Sequence, residues 1–153
     1  MTVGYAGMIS FTADYCIAVF ISSIGVLQFT FSLGGLRGLL FFKSTFVART
    51  LGLATAILGF ALFFGTGTRN INDYEGGLDA PDQALFFSLS ALTALATTLI
   101  VSSLVNRKMR GAEFDADAGL DALRYSNYAS ALVRSLMYWR SNWRTLTKRY
   151  FSG

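Results

Sequence analysis

The chain has 153 residues, of which 53% are hydrophobic and 14% charged, with 13 Lys and Arg against 9 Asp and Glu. Soluble domains average about 25% charged residues, so this composition argues against a soluble domain and for a membrane protein. It also excludes much chemistry, because the single cysteine precludes an intrachain disulfide and the absence of histidine removes the commonest metal ligand and general base.

Three uncharged apolar runs predict three transmembrane helices. They cover residues 15–36, 50–68 and 83–106. About 20 residues cross a ~30 Å hydrocarbon core as a helix, and the runs lack the alternation of barrel strands. We therefore predict an all-α integral membrane protein of three transmembrane helices plus a C-terminal amphipathic helix rich in basic and aromatic residues.

These spans divide the chain into three parts. Residues 15–110 form the three-span bundle, residues 1–14 an extracytoplasmic amino-terminal segment, and residues 111–153 a cytoplasmic tail. We do not expect the first run to be a cleaved signal peptide, because no basic residue precedes it and Asp14 is acidic.

The loop charges predict the orientation. Basic residues gather between the first two spans and after the third, namely Arg37, Lys43, Arg49, Arg107, Lys108 and Arg110. The loop between the second and third spans is acidic, with Asp73, Glu75, Asp79 and Asp82. Because basic loops stay in the cytoplasm, we expect the amino terminus outside and the carboxyl terminus in the cytoplasm. Pro81 and Asp82 suit the start of the third helix.

The tail from about residue 120 to residue 150 is periodic and predicts one amphipathic helix. Its aromatic and leucine residues recur every three or four positions and form one stripe: Tyr125, Tyr128, Leu132, Leu136, Trp139, Trp143, Leu146 and Tyr150. Basic residues occupy the other side: Arg134, Arg140, Arg144 and Lys148. At about 100° per residue, the stripe falls within an arc of about 80°.

Two interpretations of this stripe stay open. A helix lying on the membrane presents apolar residues to the bilayer and basic residues to water and to anionic lipid of the cytoplasmic face. The stripe also suits docking on another membrane subunit or on a second copy of the chain. Nucleic-acid binding is not expected, because it would place the aromatic and basic residues on one accessible face.

Small residues within the spans predict close helix packing. The third span carries Ser90, Ala94, Thr98 and Ser102 at every fourth position, and the second carries Gly52, Ala56 and Gly59. Gly34 and Gly38 have the same spacing at the end of the first span. Packing within the chain is favoured over contact between subunits. Gln28, the one strongly polar side chain near the middle of a span, is expected to hydrogen-bond to a neighbouring helix.

No catalytic constellation is present, so we do not expect an enzyme. No metal site or cofactor is evident, since the acidic loop lacks a calcium-loop spacing, but bound lipid is plausible. The function expected is structural: a small subunit that assembles with other copies or other membrane subunits, its tail bracing the cytoplasmic face. The alternatives are an oligomeric channel or transporter component, and an accessory subunit that holds pigment, lipid or quinone in a redox or photosynthetic complex.

Overall fold

The computed structural model describes residues 11–65, 78–109 and 119–151, giving the backbone alone for residues 144–151. This part of the chain is helical and holds four α-helices, α1 (Phe11–Leu33), α2 (Thr45–Gly65), α3 (Ala80–Val105) and α4 (Tyr128–Phe151). Two short 3₁₀ turns span Arg37–Leu39 and Gly119–Arg124. α1, α2 and α3 are each long and apolar enough to cross a membrane, which confirms three long apolar helices where the spans were predicted.

The first span ends three residues before the predicted limit, at Leu33. Gly35 adopts a positive φ of 68°, and the Leu36 amide donates to the Phe31 carbonyl at 3.0 Å. This is the hydrogen bond of a glycine-terminated helix, and it turns the chain sharply out of α1. Gly38 therefore lies outside the helix, and the prediction that it shares a helical stripe with Gly34 is wrong.

The second and third helices begin earlier than the uncharged runs, at Thr45 and Ala80. A charge near a helix end reaches the interface, so Arg49 lies inside α2 and does not mark its boundary. At α3 the Asp79 carboxylate accepts a hydrogen bond from the Asp82 amide at 2.9 Å, and Pro81 stands in the first turn. Both features are typical of a helix start.

α1 is the central helix, because α2 and α3 both pack on it and make little contact with each other. α1 and α2 approach backbone to backbone: a Cβ added at Gly25 would lie 2.6 Å from the Gly52 carbonyl oxygen. The Ser22 hydroxyl donates to the Ala56 carbonyl at 3.2 Å across the same contact. Small residues permit such an approach, and in lipid this close packing holds helices together.

The predicted tail helix of residues 120–150 is wrong at its start. Residues Gly119–Arg124 form a 3₁₀ turn, and α4 begins only at Tyr128. The chain is redirected between them, since Leu123 and Ser126 are buried and the Ser126 hydroxyl donates to the Ala122 carbonyl at 2.8 Å. Tyr125 is therefore exposed ahead of α4 and does not share its face.

Candidate interaction site at the base of the bundle

The base of the bundle is the end where α1 and α3 finish and α2 and α4 begin. The segment 36–41 is folded tightly into this end, where Leu39 and Leu40 are 3% and 1% exposed. Gly38 permits its approach to the tail, because an added Cβ would lie 2.8 Å from the Leu123 carbonyl oxygen and closer still to that of Ser126. The middle of the loop between the first two spans, residues 38–40, is thus part of the protein core.

Gln28 holds this segment to α1. The side-chain nitrogen of Gln28 donates to the Leu39 carbonyl at 3.1 Å, and its side-chain oxygen accepts from the main-chain amide of Phe41 at 2.9 Å. The prediction that Gln28 bonds to a neighbouring helix is wrong: its partners are backbone groups of the loop that follows its own helix. Gln28 is only 4% exposed, so a paired amide is needed to avoid a large desolvation cost.

Asn106 holds the same segment from the other side. It caps the end of α3, and its side-chain amide donates to the carbonyls of Gly38 at 3.3 Å and Leu40 at 2.8 Å. Its own main-chain carbonyl accepts from the Asn127 side chain at 3.1 Å. Asn106 therefore links the loop, the end of α3 and the tail.

Asn127 fixes the first turn of α4. Its side-chain oxygen accepts from the main-chain amide of Ser130 at 2.7 Å, as an N-cap residue does. The main-chain amide of Asn127 donates to the Met109 carbonyl at 3.0 Å. The Ala129 amide adds a 3.2 Å hydrogen bond to the Ser103 hydroxyl of α3. We name Gln28, Asn106 and Asn127 the amide clamp.

Beyond its first turns α4 is largely exposed. The stripe residues Leu132, Leu136, Trp139 and Trp143 are all exposed, whereas Tyr128 is half-buried against the base. Of the predicted basic face, Arg134 is half-buried and Arg140 exposed. The side chains of the remaining predicted members, Leu146, Tyr150, Arg144 and Lys148, lie outside the described residues.

The stripe is not the whole apolar surface of α4. Val133 and Met137 are also exposed, and their centre lies about 120° around the helix from that of Trp139 and Trp143. The segregation of apolar from basic residues is therefore less strict than the stripe alone indicates.

Of the charged side chains that the structure describes in the bundle, the basic ones lie at the base and most of the acidic ones lie at the opposite end. The base carries Arg37, Lys43, Arg49, Arg107, Lys108 and Arg124, together with one described acid, Asp121, which pairs with Arg124 at 2.8 Å. At the opposite end lie Asp14, Asp79 and Asp82. Asp73, Glu75 and Arg110 fall outside the described residues. α4 thus leaves the bundle at its basic end.

The small-residue stripe of α3 faces the interior of the chain. Ser90, Ala94, Thr98 and Ser102 are all buried within the single chain. In the described structure the Thr98 hydroxyl has no hydrogen-bond partner, which makes it an unusual buried polar group in this helix interface. Gly52, Ala56 and Gly59 of α2 are likewise buried, against α1.

Sequence reasoning missed Asn106 and Asn127 as structural determinants of the base, and it assigned Gly38 to helix packing with Gly34. One signal was present, since an asparagine directly before a periodic apolar segment is typical of an N-cap. Among the described residues, no three Cys, Asp or Glu side chains are grouped as a metal site would require. Comparisons with models of protein families, with curated proteins and with solved structures find no match to this chain.

Proposed function

We propose that this chain is a three-span membrane subunit with a structural role in assembly. The bundle anchors the protein, and α4 braces the cytoplasmic face of a homo-oligomer or of a larger membrane complex. This is a role in binding and positioning, with no catalytic step assigned to the chain itself.

The observation that carries the proposal is the attachment of α4. Its first turn is fixed by the amide clamp through Asn127, while the exposed stripe from Leu132 to Trp143 begins within two turns of that anchor. A tail without a fixed orientation would not need three buried side-chain amides to hold its first turn in place. A fixed start instead presents the stripe in a defined direction.

The charge pattern supports a cytoplasmic base. By the positive-inside rule, the basic end faces the cytoplasm, which places α4 beside the anionic lipid of that leaflet. The described part of α4 has arginines and no acid, so its electrostatic attraction to that surface complements apolar contacts of Trp139 and Trp143 with lipid or with a partner subunit.

The test is the assembly state of the full chain, purified at native expression level in mild detergent and measured by light scattering with identification of co-purifying subunits. We expect an oligomer or a complex of fixed stoichiometry. The double substitution Trp139→Glu with Trp143→Glu should dissociate it, because two carboxylates would have to be buried at the contact.

A matched control uses the same chemistry on another face. Val133→Glu with Met137→Glu has the same spacing and also replaces exposed apolar residues, but it lies about 120° away. Assembly should survive in this variant. A parent chain that runs as a lone monomer with no partner, or equal loss of assembly in both variants, would reject the proposal.

A further inference from the structure

An apolar groove runs along α1 between α2 and α3. Its volume is about 880 Å³. It exists because α2 and α3 both pack on α1 and make little contact with each other, which leaves a lateral opening. The groove is lined by residues of α1 between Tyr15 and Leu27, of α2 between Phe60 and Phe64, and of α3 between Phe87 and Leu95.

The groove occupies only one half of the bundle. From Tyr15 to Leu27 it extends about 18 Å along α1, at about 1.5 Å per residue. This is close to one leaflet, which is half of a ~30 Å hydrocarbon core. The groove lies in the half away from the base, and its lining on α1 ends just before the buried clamp residue Gln28.

The lining requires no polar ligand. Its walls carry the rings of Phe60, Phe63 and Phe87. Two of its hydroxyls already donate within the protein, Ser22 to the Ala56 carbonyl and Ser88 to the Ala84 carbonyl at 2.8 Å. An open apolar groove at this depth is filled by hydrocarbon, because water would find few partners there.

The rim of the groove is acidic. The Tyr15 hydroxyl donates to the Gln83 carbonyl at 3.4 Å and so brings the first turns of α1 and α3 to one level. Asp82 is the neighbour of Gln83 in the chain, and Asp79 precedes α3. Within the described ranges no lysine or arginine lies at this end, so the electrostatic field disfavours an anionic headgroup and favours one that carries an amine.

The dimensions of the groove also argue against a second copy of the chain as its occupant. A strip about 18 Å long and one helix diameter of about 10 Å wide presents only about 180 Å², whereas a stable interface buries about 800 Å² on each partner.

From these observations we propose that the groove binds a hydrocarbon chain of a phospholipid with an amine headgroup, from the leaflet at the acidic end of the bundle. This site is separate from α4 and does not depend on the assembly role. Loss of assembly with lipid retained would reject only the proposed function, and the reverse result would reject only this site.

The test is native mass spectrometry of the full chain, delipidated and then titrated with phosphatidylethanolamine or phosphatidylglycerol of identical acyl chains. We expect one bound lipid per chain and tighter binding of phosphatidylethanolamine. In Ala91→Phe the new ring occupies part of the groove, so the lipid chain loses the burial of about two methylene groups. This loss should weaken lipid binding roughly tenfold. Ala96→Phe is the matched control, because Ala96 is exposed on α3 and does not line the groove.

A second variant covers the case in which Ala91→Phe does not fold. Phe87→Ala removes a half-exposed ring from the wall of the groove. It should also weaken lipid binding, with little effect on the packing of the helices. Asp79→Asn with Asp82→Asn should abolish the headgroup preference, and asparagine at position 79 keeps the helix cap. No bound lipid in the titrated parent, equal binding by the Ala91 and Ala96 variants, or a preference for phosphatidylglycerol would overturn the proposal. Dissociation of a dimer by Ala91→Phe would assign the groove to a second copy and overturn it as well.

Discussion

Asn127 donates a hydrogen bond from its side-chain amide to the main-chain carbonyl of Asn106, at 3.1 Å. Through this bond the residue that caps the end of α3 meets the residue that caps the start of α4. One pair of asparagines thus ends a transmembrane helix and starts the helix that the chain presents at its base.

We predict that Asn127→Ala releases the start of α4. The variant loses an N-cap, at about 1 kcal/mol, and the hydrogen bond from its side chain to the Asn106 carbonyl, at about 1 kcal/mol, while the Met109 amide still donates to that carbonyl at 2.8 Å. Hydrogen exchange of residues 128–131 should accelerate roughly 30-fold, while α1 and α2 stay protected. Ser135→Ala, at an exposed position of α4, is the control and should leave exchange unchanged. Uniform acceleration across all helices would contradict a local role.

Gly38→Ala should separate the loop from the tail. Its Cβ would meet the backbone carbonyls of Ser126 and Leu123, which cannot rotate away as a side chain can. Overpacking of this kind costs about 1–3 kcal/mol. Limited trypsin digestion should therefore cleave faster after Arg124. Gly34→Ala is the matched control, because its nearest neighbour is a side-chain atom 3.6 Å away; equal cleavage of the two variants would show that the contact at Gly38 carries no stability.

Gln28→Leu should destabilise the bundle although it makes α1 more apolar. The leucine leaves the Leu39 carbonyl and the Phe41 amide without their partners, at about 1–3 kcal/mol for each buried group. The midpoint of unfolding in sodium dodecyl sulfate should fall. Thr30→Leu adds a similar apolar side chain at an exposed position of α1 and should change the midpoint little. A higher midpoint for Gln28→Leu would refute the clamp.

Gly52→Ala should loosen α1 from α2. The added Cβ would lie 2.7 Å from the Phe29 amide nitrogen and 2.9 Å from the Gly25 carbonyl oxygen. The helices would have to separate, and we expect a loss of about 1–3 kcal/mol in thermal unfolding followed by circular dichroism. Gly65→Ala has nothing within 4 Å of the new atom and should be neutral or slightly stabilising. Identical unfolding curves for both variants would disprove the close contact.

The proposed orientation predicts one-sided labelling of introduced cysteines. In a Cys16→Ser background, Ala80→Cys should react with a membrane-impermeant maleimide added to intact cells, and Lys43→Cys should react only after the membrane is opened. Both positions are exposed, so accessibility within the protein does not separate them. The opposite pattern would invert the topology and place α4 outside.

The sequence alone determined the three long apolar helices, most of the separation of charge and, to within three residues, the start of α3. Each depends on local properties: a run of apolar residues, the sign of nearby side chains, and the Pro81 and Asp82 signals near a helix start. The same local reasoning located Gln28 as the polar residue of α1, but it did not identify its partners.

Only the tertiary structure decided where the tail helix begins and how the base is closed. Asn106 reaches Gly38 and Leu40 across 68 and 66 positions of the chain, and Asn127 reaches Asn106 across 21. Hydrophobic periodicity carries no information about such pairs, because a buried amide is stable only where a distant backbone group happens to meet it. The groove is likewise a product of three helices, since it forms where α2 and α3 pack on α1 without closing on each other.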